Sequence, residues 1–355
     1  MRRPVEHLGV GAVVIGRNEG ERLATCIGSL LGRYKTSQVC MPGGCNLGVR
    51  AIDQHIKGFE ALGANISTKN GCVVAEAPAG LRGAHIYLDM PSVGATINIM
   101  LAAVRAQGMT YIENPAKEPH VVDLANFLGS MGAWVKGAGT DIVRIRGSMP
   151  LHGSTYAIIP DQIETGTLMI AAAATGGDVT ITGAIPAHME SLSAKLLEMG
   201  VHVQAEDDWI RVRSNGVFRA VNVKTQGYPG FPTDLQQPLS AILAIANGTS
   251  IVTETIFESR FRFLDELRKM GANVRVIESS AIITGVNRLV SARVNATDLR
   301  AGAAMVIAAL MADGETEIGG VEYILRGYER FDEKLKKLGA KVEGVCVCEK
   351  SYCRV

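Results

Sequence analysis

Two hydrophobic patterns alternate along this chain. In the first, apolar residues recur with helical spacing, the segment ends in Leu-Gly-Ala or a close relative, and a short alternating stretch typical of a strand follows. Glycine is the natural residue just past a helix C-terminus, so each marker predicts the end of a helix. The marker glycines recur about every 70 residues. They are Gly63, Gly132, Gly200, Gly271 and Gly339.

The second pattern is apolar and alanine-rich on nearly every side, which predicts four helices that are buried rather than amphipathic. These helices begin at "PSVGATINIMLAAV", "PDQIETGTLMIAAAA", "PTDLQQPLSAILAIA" and "ATDLRAGAAMVIAALMA". Their first turns contain residue types that cap helix N-termini. The candidate caps are Ser92, Asp161, Asp234 and Asp298.

Together the two patterns define a repeat of one exposed helix, one buried helix and several short strands. Five such units are visible, and residues 22–41 are typical of the tail of an earlier, truncated unit. The unit is longer than common solenoid repeats. We therefore predict an α/β fold in which sheets face solvent and helices lie inside. We place the domains at 28–158 and 159–355, after an atypical segment at 1–27.

Composition narrows the class of protein. The chain has 355 residues, of which 47% are hydrophobic and 20% charged, so it can form packed cores and is expected to hold two domains. A net charge of +1 and an aromatic content of 5% argue against nucleic-acid binding. No apolar run has the length of a membrane span. The seven cysteines are irregularly spaced, which favours reduced thiols and a cytoplasmic protein without a metal site.

Two residues could carry proton or covalent chemistry. Cys45 follows two glycines in "MPGGCNLGVR", and Arg50 nearby could increase its thiolate fraction. A buried, inert cysteine is the alternative, and the residues alone leave both open. Asp234 is either a structural helix cap or a proton acceptor at the positive end of a helix dipole. We interpret Asp161 and Asp298 as structural caps.

Four arginines lie at boundaries between repeat units: Arg50, Arg260, Arg300 and Arg326. Solvated surface charge is the simple interpretation. However, Arg300 falls in the first turn of an apolar helix, where the helix dipole disfavours a cation and an anionic ligand would explain it. The "SVGAT" amides at 92–96 could hold a diphosphate, although the lysine and spacing of a P-loop are absent. These features predict a pocket for a small polyanion.

Several segments resemble one known family. They are "PGGCNLGVRAIDQHIKGFEALGA", "SVGATINIMLAA", "IENPAKEPHVVDLANFL", "IPDQIETGT", "GFPTDLQQPLSAIL", "FESRFRFLDELRKMGA", "ATDLRAGAAMVIA" and "LRGYERFDEKLKKLGA". Over residues 28–345 the chain resembles the UDP-N-acetylglucosamine 1-carboxyvinyltransferases, of the EPSP synthase-like superfamily. The resemblance implies two inside-out α/β domains. It also implies transfer of the enolpyruvyl group of phosphoenolpyruvate to the 3′-hydroxyl of UDP-N-acetylglucosamine, in peptidoglycan synthesis, with no cofactor. EPSP synthases lack the "PGGC" loop, so Cys45 favours the cell-wall enzyme.

The resemblance also implies residue roles. Cys45 would take part in protonation and product release and would be the residue that fosfomycin alkylates, while Asp234 would be the base near the sugar hydroxyl. Arg50 and Arg326 would face the phosphate of phosphoenolpyruvate, and Arg260 and Arg300 its carboxylate. The nucleotide-sugar site would comprise Arg50, Asp53, Ser92, Val93, Gly94, Thr233, Asp234 and Ile256.

The chain departs from the family pattern at several points. The family's N-terminal Lys-Asn pair has no equivalent before residue 40, Arg22 is one position out of register, and Ala51 and Ser259 replace a proline and an asparagine. One alternative is therefore a truncated or chimeric homologue that binds UDP-N-acetylglucosamine without turnover. A second is a glycosyltransferase, which "VGAVVIGRNEGERLATCIGSLL" resembles over only about 20 residues, a length too short for a domain.

Overall fold

The computed structural model describes residues 19–40, 52–347 and 350–354. The described chain divides by its internal contacts into two compact units, with the division between Ile159 and Pro160. We refer to the part before this division as unit 1 and to the part after it as unit 2.

Unit 1 alternates helices with short strands. Its elements are α1 (Glu19–Tyr34), β1 (Thr36–Cys40), α2 (Asp53–Ala61), β2 (Asn65–Lys69), β3 (Cys72–Glu76), β4 (His85–Tyr87), α3 (Val93–Ala103), β5 (Met109–Glu113), α4 (Pro119–Ser130), β6 (Trp134–Lys136) and β7 (Ile142–Arg146). The strands form two sheets with the orders β1-β3-β2 and β4-β5-β7-β6. The helix and strand that we predicted within residues 22–41 are confirmed as α1 and β1.

Unit 2 continues the same alternation. Its elements are α5 (Gln162–Ala174), β8 (Asp178–Thr182), a 3₁₀ turn (Pro186–Met189), α6 (Glu190–Glu198), β9 (His202–Glu206), β10 (Trp209–Arg213), β11 (Val223–Lys224), α7 (Thr233–Leu243), β12 (Thr249–Thr253), α8 (Phe263–Lys269), β13 (Asn273–Ile277), β14 (Ser280–Thr284), β15 (Arg293–Asn295), α9 (Leu299–Met311), β16 (Glu317–Gly319), α10 (Val321–Gly327), α11 (Phe331–Lys337), β17 (Glu343–Val347) and β18 (Lys350–Arg354). Its sheets have the orders β8-β10-β9, β11-β12-β14-β13 and β15-β16-β18-β17.

The three four-stranded sheets have one topology. In each, the first two strands are parallel and the remaining pairs are antiparallel, as in β4-β5 against β5-β7 and β7-β6. Strand β10 shows the alternation, because Ile210 and Val212 point into the core while Arg211 and Arg213 are exposed. The sheet β8-β10-β9 therefore has one buried and one solvated face, as the repeat predicted.

The alanine-rich helices lie inside, as predicted. Helix α3 packs between α1, α2 and α4 in unit 1, and α5, α7 and α9 pack on one another in unit 2. Small residues permit this close packing: a Cβ added to Gly166 of α5 would lie 2.6 Å from a methyl carbon of Leu235 on α7. The marker glycines all have positive φ, from 88° at Gly271 to 96° at Gly339, which confirms the predicted helix ends.

The cysteines of the described chain differ in their redox state. Cys72 is disulfide-bonded, so the expectation that every thiol is reduced is wrong at this residue, whereas Cys26 is free and half-buried.

Within the described ranges, none of the helices combines the length and the apolarity that crossing a bilayer requires. Those same ranges contain no group of three histidine, cysteine, aspartate or glutamate side chains arranged for a metal ion.

Candidate active site

Asp234 is an ion-pair partner rather than a helix cap. Ser92, Asp161 and Asp298 accept backbone N–H bonds at the N-termini of α3, α5 and α9, as predicted. Helix α7 instead begins after Pro232, which makes no side-chain cap bond, and Asp234 lies within its first turn. Of the two alternatives left open for Asp234, the helix cap is therefore wrong, and its carboxylate is available for tertiary contacts.

Two arginines hold the Asp234 carboxylate. Arg260 Nη2 donates to Oδ1 over 2.6 Å, and Arg300 Nε donates to Oδ2 over 2.9 Å. The Arg260 side chain is 3% exposed and that of Asp234 is 32% exposed, so this three-residue ion cluster is largely shielded from water. Burial by itself raises the pKa of Asp234, but the two guanidinium charges and their hydrogen bonds outweigh burial and hold that pKa well below its ordinary value.

The two guanidiniums retain unused donors. In the part of the chain that the structure describes, Nε of Arg260 and Nη1 of Arg300 are buried without a hydrogen-bond partner. A buried charged donor without an acceptor costs free energy, so such groups normally meet a ligand or water. The cluster carries two positive charges against one carboxylate. It can therefore accept a further anion.

Arg260 is oriented by its surroundings. Its guanidinium lies over the ring of Phe257, with 4.9 Å between Cζ and the ring centroid, and Nη1 lies 3.3 Å from the hydroxyl of Thr233. Gln237 Nε2 donates both to the carbonyl of Arg260 and to Oδ2 of Asp298, each over 3.2 Å. Since Asp298 also caps α9, these contacts join α7, α9 and the segment before α8 around the cluster.

Glu254 is a functional residue that our sequence reasoning missed. It is 3% exposed, and Oε2 accepts the hydroxyl of Thr233 over 2.7 Å. Its other oxygen accepts the hydroxyl of Thr225 over 2.9 Å and the backbone N–H of Ile256 over 2.8 Å. The alternation of β12 provided a signal, because Ser250 and Val252 point inward and Glu254 continues that face with a charge. Glu254 thus joins Ile256 to Thr233.

The structure places Arg326 on the exposed face of α10. Its guanidinium lies over the ring of Tyr323 one turn earlier, with 5.5 Å between Cζ and the ring centroid. It is not among the ion-pair partners of Asp234 within the described ranges. The structure therefore brings together Arg260, Arg300, Thr233 and Asp234, with Ile256 linked through Glu254, and leaves Arg326 outside this network.

In unit 1, the predicted nucleotide-sugar residues lie at the N-termini of α2 and α3. Asp53 starts α2 and accepts from Gln54 Nε2 over 2.8 Å. Ser92 caps α3 by accepting from the N–H of Ala95 over 3.3 Å, and Val93 and Gly94 follow in its first turn. The first amides of a helix form the positive end of its dipole, which favours an anion.

A buried neutral network supports this helix end. Asn98 Oδ1 accepts the N–H of Gly28 over 2.9 Å, so its amide nitrogen faces His55 and donates to Nδ1 over 2.9 Å. Burial lowers the pKa of His55 to about 4, against the opposing charge of Asp53, and the imidazole is neutral near pH 7. A Cβ on Gly94 would lie 3.1 Å from the His55 ring, so a larger residue there would require the imidazole to shift by a few tenths of an ångström. Neither His55 nor Asn98 was predicted from the sequence, although Asn98 is a polar residue within an apolar helix.

Two predicted site residues, Cys45 and Arg50, lie outside the described residues. The roles of Cys45 and Arg50 therefore stay predictions from the sequence. Ala51, which replaces the family's proline, also lies outside the described residues. The site that can be built from contacts consists of the ion cluster of unit 2 and the helix N-termini of unit 1, each taken by itself.

Comparison with known proteins identifies the family. A family model described as EPSP synthase (3-phosphoshikimate 1-carboxyvinyltransferase) matches residues 22–335. The chain is 60% identical over 316 residues to a UDP-N-acetylglucosamine 1-carboxyvinyltransferase of Clostridium botulinum, an alignment that covers 89% of this chain and 76% of the relative. It is also 60% identical to UDP-N-acetylglucosamine 1-carboxyvinyltransferase 3 of Caldanaerobacter subterraneus, and this alignment covers 89% of this chain and 76% of the relative.

Solved structures agree with this result. The enolpyruvyl transferase NikO from Streptomyces tendae superposes with a TM-score of 0.77 at 26% identity, covering 88% of this chain and 75% of that one. EPSP synthase from Acinetobacter baumannii has the same fold, with a TM-score of 0.68 at 22% identity over 90% of this chain and 77% of that one. The sequence match over most of the chain and the shared fold together establish that the chain belongs to the EPSP synthase family.

Proposed function

We propose that this chain transfers the enolpyruvyl group of phosphoenolpyruvate to the 3′-hydroxyl of UDP-N-acetylglucosamine and releases phosphate, the first committed step of peptidoglycan synthesis. One observation carries the proposal: a chain 60% identical to proteins named for this activity contains a half-buried carboxylate held between two arginines that have unused donors among the described residues. A hydroxyl substrate needs a base, and a compact anion needs preorganised cations.

In the proposed reaction, the ion cluster supplies both the base, Asp234, and the cations, Arg260 and Arg300. The sugar hydroxyl oxygen bonds to C2 of phosphoenolpyruvate while its proton passes to Asp234 and C3 gains a proton. The resulting tetrahedral intermediate then loses the C3 proton and phosphate. In the free protein the two arginines make Asp234 a weak base, because they lower its pKa. A bound anion competes for the same guanidiniums and restores basicity to the carboxylate.

The remaining roles are proposals from the family resemblance. Arg260 and Arg300 would bind the carboxylate side of phosphoenolpyruvate, and Arg50 and Arg326 its phosphate. Cys45 would take part in protonation and product release. Asp53, the α3 N-terminus at Ser92–Gly94 and the Thr233–Ile256 linkage would bind the nucleotide sugar. For α3 this role is supported by the positive end of the helix dipole. Both substrates are cytoplasmic metabolites, so we place the activity in the cytoplasm.

A phosphate-release assay tests the proposed function. The protein should release phosphate from phosphoenolpyruvate only when UDP-N-acetylglucosamine is present, and Cys45→Ser and Arg300→Lys should each reduce turnover by at least about 100-fold. Arg211→Lys is the matched control, because Arg211 pairs with Asp178 on a solvated sheet face. Calorimetric binding of the nucleotide sugar without phosphate release would instead support the non-catalytic homologue. Release that needs no sugar would refute both.

A further inference from the structure

Tyr328 contacts Arg300 but has no part in the reaction as proposed above. It is 0% exposed and follows the last residue of α10. Its hydroxyl lies 3.0 Å from Oγ1 of Thr167 on α5. Arg300 Cζ lies 5.2 Å from the centroid of the Tyr328 ring, so the guanidinium lies against the face of that ring. The three side chains come from α5, α9 and the end of α10, so only the folded chain brings them together.

The donor and acceptor inventory sets the direction of these hydrogen bonds. Oγ1 of Thr167 lies 2.7 Å from the carbonyl of Ile163, which can only accept, so the single hydroxyl proton of Thr167 is used there. The hydroxyl of Tyr328 must then donate to Thr167. This bond ties the Tyr328 ring, against which Arg300 lies, to α5. Burial raises the pKa of Tyr328, so the hydroxyl keeps the proton that this order requires.

We infer that Tyr328 and Thr167 are positioning residues for Arg300. Their hydroxyl relay, as we name this pair, holds the tyrosine ring against the guanidinium. It thereby fixes the orientation in which Nε holds Asp234 and, among the described residues, the buried Nη1 stays unpaired for an anionic substrate. Without the relay the guanidinium could rotate about its last bonds and turn Nη1 toward other acceptors. This inference rests on the proposed function for its kinetic readout, although the relay itself is a property of the free protein.

Tyr328 also has a packing role that must be separated from the relay. Its ring lies 4.9 Å from that of Phe331, centroid to centroid, and it fills a site that is wholly buried. Tyr328→Phe keeps these ring contacts and the face toward Arg300 and removes only the hydroxyl. Thr167→Val removes the acceptor at nearly constant volume, and Thr167→Ser keeps it. Thr175→Val is the matched control, because Thr175 also bonds a carbonyl one turn back in α5, over 3.0 Å.

The kinetic experiment measures phosphate release by these variants and nucleotide-sugar affinity by calorimetry. We expect Tyr328→Phe to lower kcat/KM for phosphoenolpyruvate about 3- to 10-fold, the loss typical of one hydrogen bond between neutral groups, with the nucleotide-sugar Kd within about twofold. Thr167→Val should lower it about 5- to 10-fold, Thr167→Ser and Thr175→Val less than about twofold. The double variant Tyr328→Phe/Thr167→Val should be no worse than Tyr328→Phe alone, because both break one relay.

Nitrogen-15 NMR of the arginine Nε–H group gives a readout that does not need turnover. The Arg300 signal, assigned by its loss in Arg300→Lys, should shift in Tyr328→Phe and by a similar amount in Thr167→Val, but not in Thr175→Val. Unchanged kinetics and an unchanged Arg300 signal in both relay variants would overturn the inference, as would additive losses that follow the fall in melting temperature. A wild type without turnover refutes the proposed function, and the NMR shifts still decide the relay.

Discussion

Polar groups inside the two units are stabilised in different ways, by a neutral network in unit 1 and by a charged cluster in unit 2. In unit 1, His55, Asn98 and the N–H of Gly28 form a neutral network in which Asn98 serves both neighbours. In unit 2, Asp234, Arg260 and Arg300 are charged, and two guanidinium donors have no partner among the described residues. A neutral network that satisfies itself stabilises a helix end. A charged cluster with spare donors is costly alone and becomes favourable only when an anion completes it.

Removing the Asp234 carboxylate should have the largest effect. Asp234→Ala leaves two largely buried guanidiniums without their shared counter-charge, and we expect it to lower the free energy of unfolding of unit 2 by about 3 to 5 kcal/mol and to abolish turnover. Urea unfolding followed through Trp209 in a Trp134→Phe background reports on unit 2 alone, since the chain has only these 2 tryptophans. Asp178→Ala, which breaks an exposed pair with Arg211, should change the midpoint little. Equal losses in the two variants would contradict a special role for the cluster.

Lowering the pH should disrupt the neutral network around His55 before it disrupts the ion cluster around Asp234. The pKa of His55 is about 4 in the folded chain, against an ordinary value of 6.5. The unfolded chain therefore binds a proton first, and stability that is complete above pH 6.5 is lost as pH falls toward 4. The loss should reach about 3 kcal/mol, since one unit of pKa corresponds to about 1.4 kcal/mol.

Single-tryptophan variants can test this order. Urea unfolding of unit 1, followed through Trp134 in a Trp209→Phe background, should lose stability between pH 6.5 and 4. His55→Gln should flatten that dependence, while His120→Gln, at an exposed position, should leave it as in the wild type. Unit 2 should be less sensitive over the same range, because the lowered pKa keeps Asp234 ionised. A steeper loss in unit 2 would reverse the comparison.

Glu254 should be the next most sensitive position. Glu254→Gln replaces one acceptor oxygen with a donor that faces the hydroxyl of Thr233, so we expect a loss of about 2 kcal/mol in unit 2 and a higher KM for UDP-N-acetylglucosamine. Glu258→Gln, four residues on and exposed, is the control for the charge change. If both variants behave alike in urea unfolding and in KM, the contacts of Glu254 do not support the site.

The helix cap of unit 1 should give the smallest effect. Ser92→Ala removes the side-chain acceptor for the N–H of Ala95, and we expect it to cost about 1 kcal/mol of unit 1 stability. Ser92→Thr keeps the hydroxyl and should retain most of this stability. The ion cluster of unit 2 should be unaffected in both, which urea unfolding through Trp209 would check. A loss as large as that of Asp234→Ala would remove the distinction between caps and charged site residues.

Much of the fold could be predicted from the sequence because it depends on local signals. The marker glycines end helices through their own φ angles, and alanine-rich helices are buried because no face is polar. Family membership also followed from contiguous motifs. Less of the candidate site could be predicted from the sequence. Arg300 was predicted to need an anion from its position in a helix first turn, but its pairing with Asp234 was not predicted.

The sequence by itself determined the repeat, the buried helices, the family and three of the four helix caps, since each depends on neighbours within a few residues. Only the tertiary structure decided that Asp234 is an ion-pair partner and not a cap, because its two arginines lie 26 and 66 residues away. The same is true of Tyr328 and Thr167, which are 161 residues apart. Hydrogen bonds and ion pairs act over a few ångströms, so residues distant in sequence can form them only after packing brings their helices together.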